Sequence, residues 1–180
     1  MLDVSLASVA NGPFKLIGNV PYYITTPILF RSLESPRPSR TVLLVQREVA
    51  DRLASAPGSK TYGALSVNVQ AVATAKVAFR VAPGSFNPPP KVESAVVVIE
   101  PRPDPVVSAA DEDSFRRFVQ DAFGMRRKQM RRVIRGIASL DAEKAEDALE
   151  RASIDPAARP ETLSPADFAR LRRALFSRDS

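Results

Sequence analysis

Phe14-Lys15-Leu16-Ile17-Gly18-Asn19-Val20-Pro21-Tyr22 is the stretch from which the rest of the chain is read. Phe14 to Gly18 is a short, largely apolar run, and a Gly-Asn pair closes it as a turn. Pro21 then confines Val20 to extended backbone. The stretch predicts a strand that delivers a turn. Downstream, Thr25 or Thr26 caps a helix with Pro27 in its first turn, and Ile28, Leu29 and Leu33 supply its buried side. The Pro36 to Pro38 segment ends that helix. Thr41 to Val45 is continuously apolar and β-branched, the mark of a strand covered on both faces, and Val49, Leu53 and neighbouring alanines follow as a helix. After the Pro57-Gly58-Ser59 loop, Leu65, Val69 and Val72 fit another helix. Strands follow at about Lys76 to Val81 and Val92 to Glu100, separated by Pro83 to Pro90. Two strands joined without a helix pair antiparallel. The expected fold is α/β, with helices on the faces of a mostly parallel sheet that lacks its opening strands and ends in an antiparallel hairpin.

Pro101-Arg102-Pro103-Asp104-Pro105 reads as a linker. Beyond it the pattern is purely helical: Phe115, Phe118, Val119 and Ala122 recur at helical spacing, Gly124 interrupts, and Met130, Val133, Ile134 and Ile137 resume it. Asp155-Pro156 and Ser164-Pro165 give two cap-then-proline helix starts, the second with Asp167 completing a capping-box variant. The expected division is a partial sheet domain over 1–102 and a small helical domain over 103–180.

The 180 residues contain neither cysteine nor histidine. That removes thiolate nucleophiles, imidazole bases, disulfides and the usual zinc sets, so no metal site is expected. Chemistry must come from carboxylates, amides, hydroxyls, Lys, Arg or backbone. No apolar run approaches the roughly 18 residues needed to cross a bilayer. The first residues carry Asp3 and no basic segment, unlike a signal peptide, so a cytoplasmic protein without a membrane partner is expected. Lys and Arg total 26 against 20 acids, a formal charge of +6, which suits a polyanionic partner. The distribution says more than the total. Arg126, Arg127, Lys128, Arg131, Arg132 and Arg135 crowd together, and no acid occurs between Asp121 and Asp141. On a helical wheel Lys128, Arg131, Arg132 and Arg135 oppose Met130, Val133, Ile134 and Ile137. A solvated charged face and an RNA-backbone contact both fit, but ordinary surface helices mix signs, which favours the contact. Lys91 and Arg102 extend the track.

Asn19-Val20-Pro21-Tyr22 lies just beyond a strand, where ligands of such sheets gather. The turn can aim the Asn19 amide oxygen and the Pro21 carbonyl at one point, while the Tyr22 ring offers a stacking face for an extruded base. Adenine's exocyclic amine is a poor nucleophile because its lone pair is delocalised into the ring. Acceptors for its two hydrogens would favour a more tetrahedral nitrogen, an electrostatic effect that needs no general base. A strand-ending turn with an exposed tyrosine is the competing reading. In Phe86-Asn87-Pro88-Pro89-Pro90-Lys91 the prolines stiffen the backbone, and Phe86 is either an opposing aromatic face or a core residue.

Taken in order, Gly18-Asn19-Val20-Pro21-Tyr22-Tyr23-Ile24, Gln46-Arg47-Glu48-Val49, Tyr62-Gly63-Ala64-Leu65-Ser66, Phe86 through Val96 and Arg126-Arg127-Lys128 resemble the KsgA-type small-subunit rRNA adenine N6,N6-dimethyltransferases. Ile154-Asp155-Pro156 through Arg159-Pro160-Glu161, with Leu163-Ser164, is similar to that family's C-terminal domain and separates it from the large-subunit resistance methyltransferases. The resemblance implies a Rossmann-like class I methyltransferase sheet. It also implies S-adenosylmethionine as donor and two adjacent adenines of small-subunit rRNA, in the rRNA or the pre-small ribosomal subunit, as target. By the same resemblance Asn19, Pro21 and Tyr22 hold the target adenine, Phe86 stacks on it, Asp3 and Asn19 contact the donor, and the complete protein is a monomer. One departure stands out: the seven glycines include no Gly-x-Gly pair, so the glycine-rich donor turn is absent. The expectation is a chain inactive alone. A non-catalytic RNA- or ribosome-binding assembly module is the alternative, and a DNA adenine methyltransferase a third reading.

Overall fold

The computed structural model describes residues 12–176. They form two compact units, residues 12–55 with 72–105, and residues 56–71 with 106–176.

The first unit is built on four strands, β1 (Lys15–Asn19), β2 (Arg40–Gln46), β3 (Ala73–Val81) and β4 (Ser94–Pro101), in the order β1-β2-β4-β3. β1 runs parallel to β2, with Asn19 opposite Leu44. β4 lies between β2 and β3 and is antiparallel to both. The expected hairpin is therefore present, but its second strand is inserted next to β2, so the sheet formed by the described residues is mixed. Burial explains the insertion. Ala95, Val97 and Ile99 of β4 lie opposite Val45, Leu43 and Thr41, and all six are buried. Fully burying side chains such as Leu43 or Val97 contributes about 1.5–3 kcal/mol each. In β3, Ala78 is skipped in the pairing with β4, a bulge next to the exposed Phe79.

Two helices belong to this unit, α1 (Thr25–Ser32) and α2 (Arg47–Ala54). α1 opens as expected near Thr25 and Pro27, although no side chain caps it. It buries Thr25, Ile28, Leu29 and Ser32. α2 leaves β2 without a linker and packs against β3 and β4 through its buried Ala50 and Leu53.

The second unit contains α3 (Ala64–Gln70), α4 (Glu112–Gly124), α5 (Met130–Ala138), α6 (Ala142–Arg151) and α7 (Pro165–Phe176). Sequence order places α3 with the sheet, whereas its packing partners in this unit are α4 and α7. Tyr62, just before α3, is 1% exposed. Its hydroxyl donates to the Leu163 carbonyl at 2.9 Å, and its ring meets Phe123 edge-on with centroids 6.3 Å apart. Burial, reinforced by the negative charge of Asp167, pushes that hydroxyl's pKa far up, so it remains a donor. α7 starts as its sequence predicts: Ser164 N–H and Oγ donate to Asp167 Oδ2 at 2.8 and 2.7 Å, and Asp167 N–H donates back to Ser164 Oγ at 3.2 Å.

The other expected start, Asp155-Pro156, makes a turn instead. Ala157 N–H donates to Asp155 Oδ1 at 2.8 Å and Ala158 N–H to the Asp155 carbonyl at 3.0 Å. The chain then reaches Pro160, which holds Arg159 extended (φ −116°, ψ 156°), so no helix can continue through it.

Candidate functional site

The carboxyl ends of β1, β2 and β3 and the amino end of β4 share one end of the sheet. There Gln46 and Val81 both pair with Ser94, and Asn19 closes β1 opposite Leu44. Three segments singled out in the sequence converge at this end: the Asn19–Tyr22 turn, Gln46-Arg47-Glu48, and the loop from Phe86 into β4.

The turn is built by its own backbone. Val20 N–H donates to the Leu44 carbonyl at 3.3 Å, which carries the β1–β2 pairing one residue past the strand. Pro21 then takes an extended conformation (φ −54°, ψ 134°) before the single 3₁₀ turn Tyr22–Ile24. Asn19 and Pro21 are exposed and Tyr22 is half-buried. The Pro21 carbonyl accepts from Ile24 N–H at 3.1 Å and from Thr25 Oγ1 at 3.3 Å. Among the described residues the Val20 carbonyl accepts no hydrogen bond.

Tyr22 is tied to the sheet at its far end. Its hydroxyl lies 2.8 Å from Ser94 Oγ, and Ser94 is fully buried. That bond brings the Asn19–Tyr22 turn next to the strand into which the Phe86 loop feeds. Phe86 is half-buried rather than a core residue. Its N–H donates to the Pro83 carbonyl at 3.2 Å, and the Asn87–Pro88 bond that follows is cis. Neither the Tyr22 nor the Phe86 ring packs against another aromatic ring among the described residues, and both are partly exposed.

Arg47 fixes the entry to β4. Its N–H donates to the Glu93 carbonyl at 2.9 Å and its guanidinium to Glu93 Oε2 at 3.1 Å. Asp51 lies 3.6 Å from Arg47 Nε and 3.7 Å from an Arg80 nitrogen. A cavity of about 280 Å³ lies here, lined by Gln46, Arg47, Glu48, Val92 and Glu93. The sequence reading gave Ser94, Thr25 and Arg47 no role in this site: Ser94 and Arg47 stood only within the motifs that carry the resemblance, and Thr25 only as a helix cap.

Over residues 2–175 the chain matches the family described as ribosomal RNA adenine dimethylase. The chain belongs to that family. Within it the relatives are of the KsgA type expected from the sequence. The chain is 43% identical over 178 residues to ribosomal RNA small subunit methyltransferase A of Geobacter sulfurreducens, a match covering 98% of this chain and 64% of that protein. It is 44% identical to the protein of the same name from Anaeromyxobacter sp. strain K, over 94% of this chain and 60% of that one. For the Streptococcus thermophilus protein the identity is 45%, over 91% and 58%. The chain thus spans less than two thirds of the length of these relatives. Among solved structures, a dimethyladenosine transferase from Plasmodium falciparum superposes with a TM-score of 0.76 at 24% identity, over 88% of this chain and 65% of that one. The 23S rRNA methyltransferase ErmE gives 0.69 at 22% identity, over 97% and 68%. Both share the mixed sheet with helices seen here.

In this member of the dimethylase family the cationic segment divides in two. Arg126, Arg127 and Lys128 lie in the turn between α4 and α5, whereas Arg131, Arg132 and Arg135 lie on α5. Lys128 therefore precedes the helix on whose wheel it was placed. Lys128 N–H closes that turn on the Met125 carbonyl at 2.8 Å. All six cations are exposed, and among the described residues none makes an ion pair. The opposite side of α5 is apolar as expected, with Met130, Val133 and Ile134 fully buried. Met130 and Arg131 N–H donate to the carbonyls of Ala158 and Pro156 at 2.8 and 3.2 Å. The Asp155-Pro156 turn thus satisfies the first N–H groups of the basic helix. Lys91 and Arg102 are also exposed.

Asn19 is the one donor-contacting candidate that the structure describes; Asp3 lies outside the described residues. The seven glycines include no Gly-x-Gly pair. No group of His, Cys, Asp or Glu among them could hold a metal ion, and no helix among them is long and apolar enough to cross a membrane.

Proposed function

We propose that this chain is the adenine-holding and RNA-facing portion of an rRNA adenine N6,N6-dimethyltransferase of the class I, Rossmann-like type. It would act in the cytoplasm on two adjacent adenines of small-subunit rRNA, with S-adenosylmethionine as donor. The observation that carries the reading is the bond from Tyr22 to Ser94, which joins the Asn19–Tyr22 turn to the strand fed by the Phe86 loop. Family membership supports the chemistry.

In this reading Tyr22 and Phe86 take the extruded base on their ring faces. Asn19 Oδ1 accepts one hydrogen of the exocyclic amine, and a backbone carbonyl of the turn accepts the other. The Pro21 carbonyl already accepts two hydrogen bonds, filling both of its lone pairs. The second acceptor is therefore better assigned to Val20, with Pro21 acting by stiffening the turn. Two acceptors draw the amine hydrogens away from the ring plane and leave the nitrogen lone pair free to attack. Acceptors held in place beforehand would need little reorganisation in the transition state. The six unpaired cations, with Lys91, supply the phosphate contacts.

The test is titration of S-adenosylmethionine into the 180-residue chain by calorimetry, with binding to small-subunit rRNA measured alongside across a salt series. Absent donor heat, absent methyl transfer and salt-sensitive RNA binding are the expected results. Micromolar donor binding, or transfer by the chain alone, would overturn the assignment of donor binding to the part of its relatives that it does not span. One observation, the unpaired cation cluster on α5 and its preceding turn, also favours a second reading as an RNA- or ribosome-binding assembly module without catalysis. Tight rRNA binding that is indifferent to substitution of Asn19 and Tyr22 even when the donor portion is supplied would favour it.

A further inference from the structure

We infer that Ser94 is a positioning residue of the adenine site: through its hydroxyl it sets the angle of the Tyr22 ring that takes the target base. The inference rests on the reading of Tyr22 as that stacking platform.

Tyr22 sits on a single 3₁₀ turn and is half-buried. No other aromatic ring packs against it among the described residues, and its hydroxyl is tied at the distal end of the ring. The group found there is Ser94 Oγ at 2.8 Å, 72 residues away in sequence. Ser94 is well suited to serve as a fixed point. It is the first residue of β4, an interior strand of the sheet, and pairs with Gln46 of β2 and Val81 of β3. It is fully buried. The preceding residue, Glu93, is held at its carbonyl and its carboxylate by Arg47. A ring bonded to such a point loses its freedom to swing before any base arrives, which is what a preorganised stacking face requires. The same residue ends the segment that begins at Phe86, so one strand entry sets both aromatic faces proposed to sandwich the base.

This role and simple satisfaction of a buried hydroxyl differ in what removal of Ser94 does. If Ser94 merely needs a partner, removing it affects stability and leaves base binding alone. If it positions the ring, its loss is felt in base stacking and only while Tyr22 retains its hydroxyl.

The experiment uses the 180-residue chain and a single-stranded RNA decamer carrying one 2-aminopurine, whose fluorescence is quenched on stacking. Spectra of the chain labelled with ring-¹³C tyrosine are recorded beside it. Ser94→Ala is expected to weaken the quenching interaction about five-fold, the effect of one hydrogen bond, and to average the Tyr22 ring signals. Ser94→Thr is expected to restore both. Tyr22→Phe should reproduce the Ser94→Ala effect, and combining the two should add nothing further. Wild-type quenching and an unchanged Tyr22 ring in Ser94→Ala would overturn the inference. Should Ser94→Ala fail to fold, Tyr22→Phe cuts the same bond from its half-exposed side, and undiminished quenching there would overturn it equally. Tyr22→Ala separates the two levels. If it weakens quenching while Ser94→Ala does not, only the positioning role fails; if Tyr22→Ala has no effect, the base-holding reading fails and the positioning role with it.

Discussion

The Asn19–Tyr22 turn and the Arg126–Arg135 segment both present polar groups at the surface, Asn19 in the one and six cations in the other, yet they are restrained in opposite ways. In the turn almost every group is committed: Val20 to Leu44, the Pro21 carbonyl to Ile24 and Thr25, the Tyr22 hydroxyl to Ser94. In the basic segment the backbone is fixed by turns and by carbonyls of residues 156 and 158, while all six cations are exposed without ion-pair partners and only Arg131 is held by a neighbour, Gln129 Oε1. The first arrangement suits recognition of one base by direction. The second suits recognition of a polyanion by charge, in which long mobile side chains cost little because no single geometry is demanded. Substitutions in the two regions should therefore leave different signatures.

The largest effect is expected at Asn19. With the chain joined to the part of the Geobacter relative that it does not span, Asn19→Ala should lower methyl transfer about 10²–10³-fold, the usual loss of one preorganised group. Its salt dependence of RNA binding should match that of the parent. A parallel loss of RNA affinity would mean that the turn is part of the general RNA surface, and the contrast between the regions would fail. The next effect belongs to the cations. Replacing Arg131, Arg132 and Arg135 together by Gln should flatten the slope of log affinity against log salt by about 2–3, close to one unit per lost phosphate contact. The quenching of a bound 2-aminopurine, once the RNA is saturating, should be unchanged. An unaltered slope would place the phosphate contacts elsewhere.

How far each region could be read from sequence follows from the range of its interactions. The strand before Asn19, the cap at Ser164 and the apolar side of α5 are set by neighbours within a few residues and stand in the structure as expected. The insertion of β4 next to β2 depends on which buried surfaces match, and no local pattern states that. The packing of α3 with α4 and α7 is likewise non-local. Asp155-Pro156 reads as a helix start because both residue types suit one; Pro160 closes that option, and the turn instead caps α5 from a distance in sequence. Ser94 was legible only as part of a motif, since its partner is 72 residues away.

A smaller effect tests the second unit alone. Burial by itself would raise the Asp167 carboxyl, but the bonds it accepts from the Ser164 hydroxyl and N–H, with those from Arg170, outweigh this and hold it below its ordinary 3.8. A carboxyl lowered on folding contributes stability that is present above its unfolded value and is lost as pH falls through the folded one. Asp167→Asn should therefore cost about 1 kcal/mol at neutral pH, the scale of a helix cap, and less at about pH 2. Urea midpoints at the two pH values check this. A cost that persists undiminished in acid would mean that the carboxylate charge is not the source.

The smallest effect is expected at Gly18, and it bears on the turn directly. A glycine before the site asparagine suggests a backbone that only glycine can adopt, or a ligand lying against the strand. The structure removes the first reason: Gly18 is a regular member of β1 opposite Leu43, and its φ is not in the left-handed region. A Cβ there would meet Leu43 Cδ2 at 3.6 Å and Val20 Cγ2 at 3.8 Å, ordinary contacts. Gly18→Ala should thus raise stability by about 0.5–1 kcal/mol, because glycine loses more backbone entropy on entering a strand. If Tyr22 and Phe86 take the base on their ring faces, as proposed, quenching of the 2-aminopurine RNA should be unaffected. A stabilised Gly18→Ala chain that no longer quenches the probe would show that the bare backbone of β1 itself lies against the ligand, and the site would then have to be extended from the turn into the strand.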